Sequence, residues 1–191
     1  MKINELETTV EQSLSQVGHA VASKIKLYRG MRVVPFKDEF VKSIRQDRQA
    51  QASAPYEVRL FDLYCEVLGA PHRKSNTLST SVSIHQAADF GITVFQILPF
   101  DGSTYLYSTT HRDFLDLTMV LLKCWNEEHE SIMEATDDEV RNFLSNHRHL
   151  ESIASLVFTK DINETGNAKG EVLVHGSQYV AKFFDHLNNK W

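Results

Sequence analysis

Asn76-Thr77-Leu78-Ser79-Thr80-Ser81, followed shortly by Ala87-Ala88-Asp89-Phe90-Gly91, is the stretch whose reading decides the fold. A period of two puts Leu78 and Thr80 on one side of an extended segment and Ser79 and Ser81 on the other, the pattern of a half-buried strand with a hydroxyl-bearing face. From Ser83 the period changes. Ile84, Ala87, Ala88 and Gly91 fall on one side of a helix, with His85, Gln86 and Asp89 on the other. A strand of hydroxyls running straight into a short helix makes a rigid polar ledge on which other segments can place chemistry.

Working outward, Leu60, Phe61, Tyr64, Val67 and Leu68 predict a helix upstream, stopped by Gly69, Ala70 and Pro71. Arg45 to Ala54 reads as a polar loop, and Asp38 as the cap of a helix through Phe40, Val41 and Ile44. Lys24 to Val34 alternates Ile25, Leu27 and Arg29 against Lys26, Tyr28 and Gly30, a strand closed by Pro35. Arg29 then shares a face with Leu27, and an arginine with apolar neighbours needs an anion or a carboxylate. Leu6, Val10, Leu14, Val17 and Val21 form the stripe of an N-terminal helix over residues 4–22.

Downstream, Ile92 to Leu98 is a β-branched, apolar central strand ending at Pro99, and Asp101-Gly102 turns it into a partner strand from Thr104 to Tyr107. Phe114 to Glu128 is apolar nearly all round and predicts a buried helix. Asp137 to Phe158 predicts another, with Phe143, Leu144, Leu150, Ile153 and Leu156 inward. Lys160 to Gly170 is a polar loop, followed by a strand from Glu171 to Val174 and a last one through Phe184. The expected class is α+β, a single domain over residues 1–191 with an antiparallel-rich sheet arrangement, an N-terminal helix (1–22) and a helical insertion (112–158).

Composition bounds what this domain can meet. A chain of 191 residues with a formal net charge of -5 has no global field to draw in nucleic acid, so binding there would need a local basic patch. The only two cysteines, Cys65 and Cys124, lie inside apolar patterns, which points to free thiols in a reducing compartment. The N-terminus is too acidic for a signal sequence, and the apolar run Leu117 to Leu122 is far short of the ~18 residues of a membrane span. The expectation is a cytoplasmic protein with no membrane partner.

Three pieces stand in fixed order: Leu27-Tyr28-Arg29-Gly30, then Leu78-Ser79-Thr80-Ser81 with Ala87 and Phe90, then Gly170-Glu171-Val172-Leu173-Val174 with Gly176. Together they resemble the arginine, serine, glutamate class of mono-ADP-ribosyltransferases, of bacteriophage or bacterial toxin type, over nearly the whole chain. The resemblance implies an ADP-ribosyltransferase-like fold of two packed, mostly antiparallel sheets flanked by helices. It also implies NAD as a consumed substrate and a macromolecular acceptor, a host or target-cell protein or a nucleic acid.

On that resemblance Glu171 is the catalytic carboxylate and Ser79 the hydroxyl that orients it. Arg29, Gly30, Ser79, Thr80 and Phe90 form the NAD side, with Arg29 on the pyrophosphate, the Gly30 backbone by the nicotinamide amide and Phe90 beneath its pocket. The family carries Glu or Gln two residues before the catalytic glutamate; here Lys169 stands on the acceptor side, or Glu164 in the preceding loop takes a related part. The cation keeps two alternatives open, an NAD glycohydrolase in which water replaces the acceptor, and a non-catalytic binding or inhibitor protein on the same fold. Read singly, Arg29 is a structural salt bridge, Glu171 a solvated glutamate and Phe90 a core residue. His147 and His149 lack the spacing of a zinc site, and no metal is expected. Glycine-rich dinucleotide and phosphate-loop fingerprints are absent, which disfavours a Rossmann mode of binding.

Overall fold

The computed structural model describes residues 13–32, 38–44, 55–73, 75–149 and 154–184. In chain order these form a 3-10 turn Ser15–Val17, α1 (Gly18–Ala22), β1 (Leu27–Met31), β2 (Glu39–Ser43), α2 (Pro55–Leu68), β3 (Thr77–Ser81) and α3 (Ile84–Asp89). There follow β4 (Thr93–Pro99), β5 (Thr104–Ser108), α4 (Phe114–Glu128), α5 (Asp137–Asn146), β6 (Leu156–Thr159), a 3-10 turn Ile162–Asn167, β7 (Glu171–His175) and β8 (Gln178–Phe183). The fold is α+β: one eight-stranded sheet in the order β2-β8-β4-β1-β3-β7-β5-β6, every pairing antiparallel, with helices against it.

That sheet is continuous by a narrow margin. β1 meets β3 at the single register pair Tyr28↔Ser81, whereas β1 runs along β4 from Leu27↔Ile97 to Met31↔Thr93. Directly opposed residues share a face in an antiparallel pair, so the register fixes which side chains lie together. Leu27, Phe95, Ile97, Leu78, Val172, Val174, Tyr105 and Tyr107 lie on one face and join, from both sides of the seam, a single buried cluster with Val17 and Ala20. The other face carries Leu106 and Leu173 beneath Leu60, Phe61 and Tyr64 of α2, Phe114, Leu117 and Leu121 of α4, and Val140, Phe143 and Leu144 of α5. Ala87 of α3 packs with Val94 and Phe184 on that second face, across the seam.

The sequence placed several elements differently, and each difference has a physical cause. Residues 39–43 form a strand, not a helix: pairing with β8 along all five residues gives their backbone hydrogen-bond partners and sets Glu39 2.9 Å from Lys182. β5 does not fold back on β4; past Gly102, at φ 86, it pairs with β6 and β7 on the far side of the seam. The helix begun at Asp137 ends at Asn146, and Leu156–Thr159 is a strand, so the helical insertion closes with β6. α4 is one-faced, with Leu115 and Met119 exposed, and Val21 is exposed as well. In α3 the sides are reversed for two residues: Gln86 is buried and Ala88 exposed. The loop from Arg45 to Ala54, Leu6 and Val10 of the N-terminal stripe, Pro35, Leu150 and Ile153 lie outside the described residues.

One contact brings α3 onto the seam. A Cβ added at Gly30 would stand 2.0 Å from the Ala87 carbonyl oxygen, and one at Gly91 2.5 Å from the Met31 backbone, so β1 and α3 meet main chain to main chain. Neither backbone can yield as a side chain would. Gly30→Ala is therefore expected to cost about 3 kcal/mol or more. Gly18, with nothing within 4 Å of an added Cβ, should accept alanine with no loss or a gain of up to about 1 kcal/mol. Urea midpoints at unchanged m-value check both; equal effects of the two substitutions would contradict the packing.

Candidate functional site

Beyond Tyr28↔Ser81 no further register pair joins β1 to β3, and the half-buried Arg29 works at this seam. Its register partner is Phe95, so it starts from the face of Leu27, as its sequence neighbours suggested. Its Nη1 donates to the main-chain oxygen of Ser79. Ser79 and Glu171 lie on the opposite face, diagonal neighbours on β3 and β7, where Ser79 faces Leu173 and Ser81 faces Glu171. Ser79 Oγ donates to Glu171 Oε1 at 2.5 Å. Glu171 Oε2 accepts from the Phe114 backbone N–H at 2.9 Å. That N–H opens α4, one of the first-turn donors a helix cannot satisfy itself, and a carboxylate also suits the positive end of the helix dipole. Asp113 caps the same turn, accepting from the Asp116 N–H at 2.8 Å.

Arg29, Ser79 and Glu171, distant in sequence, are thus brought together on three adjacent strands. The rest of the predicted set is placed differently. Thr80 is buried on the other face and its hydroxyl donates to Val172 O at 2.7 Å, so it ties β3 to β7 and is turned away from the carboxylate. Gly30 is required by the approach of α3, whatever else lies near it. Phe90 is not a core residue: it ends α3 and is 59% exposed, beside Ile92 at 82%, so neither packs inward. Lys169 and Glu164 are exposed; the Lys169 N–H is bound to Ser108 O at 2.8 Å, holding the residue two positions ahead of Glu171.

Two contributors escaped the sequence reading. The Phe114 N–H is invisible as a ligand because a backbone group carries no residue signature; the only hint is Asp113 preceding an apolar helix. Gln86, assigned to the outer side of its helix, is buried against the loop before α4, with its Nε2 donating to Arg112 O at 3.0 Å. Arg112 in turn pairs with Asp89 at 3.2 Å, linking that loop to the end of α3.

A cleft of about 670 Å³ lies at the other end of β7, lined by Asp101, Ser103, His175, Gly176 and Ser177 among others. At that end of β7 His72 packs beside His175, ring centres 5.7 Å apart, and is fully buried. Burial pulls its pKa down to about 4, with His175 pushing the same way. Burial lowers His175 too. Among the described residues no cluster of three metal-ligating side chains occurs, no helix is long and apolar enough to cross a membrane, and both cysteines are free.

No family model matches this chain, and comparison with curated proteins and with solved structures found no match either.

The buried histidine sets a pH dependence. Unfolded, His72 titrates near about 6.5; folded, it stays neutral down to about 4. Between those values the unfolded chain binds more protons, so stability falls as pH drops from about 6.5 to about 4, by up to about 3 kcal/mol. His72→Phe should shrink the difference between urea midpoints at pH 7.5 and pH 4.5. A difference as large as in the parent would show that His72 is not its source.

Proposed function

We propose that this chain is a mono-ADP-ribosyltransferase that consumes NAD, releases nicotinamide and transfers ADP-ribose to a macromolecular acceptor. The observation that carries the reading is the 2.5 Å hydrogen bond from Ser79 Oγ to Glu171 Oε1, on a residue whose carbonyl Arg29 holds. The ADP-ribosyltransferase-like fold belongs to the same proposal: in place of the two packed sheets expected there is one continuous sheet, and what supports the reading is that its arginine, hydroxyl and carboxylate strands, β1, β3 and β7, are neighbours.

The chemistry asks for such a carboxylate. When the bond between nicotinamide and ribose breaks, its electron pair leaves with nicotinamide, which departs neutral, and positive charge grows on the sugar. An anion held beside that sugar stabilises the transition state more than the ground state. Glu171 is held by donors on both oxygens, from β3 and from the start of α4, so its position is set before substrate arrives. Ser79 orients the carboxylate. Arg29 is engaged on Ser79 O, which fixes the serine strand, and in this reading its planar guanidinium is also the cation for the pyrophosphate. The acceptor's nucleophile attacks the sugar carbon and loses its proton. An exposed Lys169 where the family has Glu or Gln keeps hydrolysis by water as the second reading.

Glu171→Gln should lower nicotinamide release by about a hundredfold or more while NAD affinity stays within about threefold. Release at the parent's rate would remove the assignment. Labelled NAD incubated with and without cell lysate separates the two enzymes: label fixed on macromolecule supports transfer, and free ADP-ribose alone supports hydrolysis.

A further inference from the structure

We infer that Gln86 is a positioning residue for the Glu171 carboxylate, acting through the three segments that converge on it. The carboxylate's position depends on β3, which brings Ser79; on residues 112–114, which bring the Phe114 N–H; and on Gly170, from which β7 starts. Gln86 touches all three. Its Oε1 accepts from Ser81 Oγ at 2.9 Å, two residues beyond Ser79. Its Nε2 donates to Arg112 O at 3.0 Å, and that same oxygen accepts the Glu171 N–H at 2.8 Å. Gly170 lies against the amide so closely that an added Cβ would stand 2.4 Å from Gln86 Oε1 and 2.5 Å from Arg112 O.

Ser81 closes the bracket. Its single hydroxyl proton is shared between Gln86 Oε1 and the more distant Gly170 O at 3.2 Å, and its oxygen accepts from the Ser83 N–H at 2.9 Å, so strand, helix start and β7 entry meet at one hydroxyl. A glutamine is suited to the place because its side-chain amide is donor and acceptor at once on opposite atoms. An apolar side chain of the same length would leave Ser81 Oγ with Gly170 O alone as acceptor and Arg112 O with the Glu171 N–H alone as donor, so the amide link between β3 and residues 112–114 would be lost. The segment carrying Phe114 would then shift relative to β3, and the two donors on Glu171 would no longer be held in one geometry.

Gln86→Met, which keeps the volume, is compared with the parent by amide NMR and by steady-state kinetics. Glu171→Ala first shows how far the Phe114 amide resonance moves when its carboxylate acceptor is lost. Gln86→Met is expected to reproduce at least half of that displacement in a folded protein, and to lower kcat for nicotinamide release about tenfold or more with KM for NAD little changed. An unmoved Phe114 amide overturns the inference. Should Gln86→Met fail to fold, Gln86→Glu carries the same measurement, since it keeps an acceptor for Ser81 and loses the donor to Arg112 O. The kinetic arm rests on the transferase reading and the spectrum does not. A parent that releases no nicotinamide sinks that reading alone, and the Phe114 resonance still decides the role of Gln86.

Discussion

The seam between β1 and β3 is the constraint on which the rest of this structure depends. Two well-paired halves of a sheet meet there at Tyr28↔Ser81 and then part, and where they part Arg29 donates to Ser79 O. An arginine beginning on the apolar face would carry a heavy desolvation cost if it met nothing; a main-chain oxygen at the seam offsets that cost and keeps the serine in place. Gly30 lets α3 sit directly on the same strand, and α3 brings Gln86 to the far side of the ledge. Backbone approach, guanidinium and side-chain amide all serve one short piece of β3.

The carboxylate at the centre is held mostly by main chain or by residues fixed to it. Of its two recorded donors, one is a hydroxyl on a strand tied through Thr80 to β7, and the other is the first amide of a fifteen-residue helix. Such donors reorganise little, which is what electrostatic stabilisation of a developing charge requires. The exposed Phe90, Ile92, Leu115 and Met119 belong to the two elements that build the site, α3 with its following loop and α4.

Much of this was legible in the sequence because strand residues announce themselves. The alternation in Thr77–Ser81, the arginine beside Leu27 and the glutamate opening Glu171–Val174 each placed a chemical group on a strand. The strand order that brings β1, β3 and β7 side by side is written in no residue pattern, because it is set by pairing between segments far apart in the chain. The failures have local causes. Five residues at Glu39–Ser43 are too few for a period to separate strand from helix, and β6 follows a helix whose apolar spacing runs on into it. Helical period puts Gln86 outside, where polar residues usually lie; only the buried partners Ser81 and Arg112 O explain its place. Thr80 was grouped with the ligand side by its neighbours, although period two had already turned it away from Ser79.

The central claim is that Ser79 and Glu171 act as one unit in breaking the nicotinamide bond, and a double-mutant cycle on nicotinamide release tests it most directly. If the hydroxyl works only by holding the carboxylate, Ser79→Ala added to Glu171→Gln should slow release little beyond Glu171→Gln alone, although Ser79→Ala by itself is slow. Losses that multiply, each substitution costing the same in either background, would show that the two side chains act independently and would contradict the account.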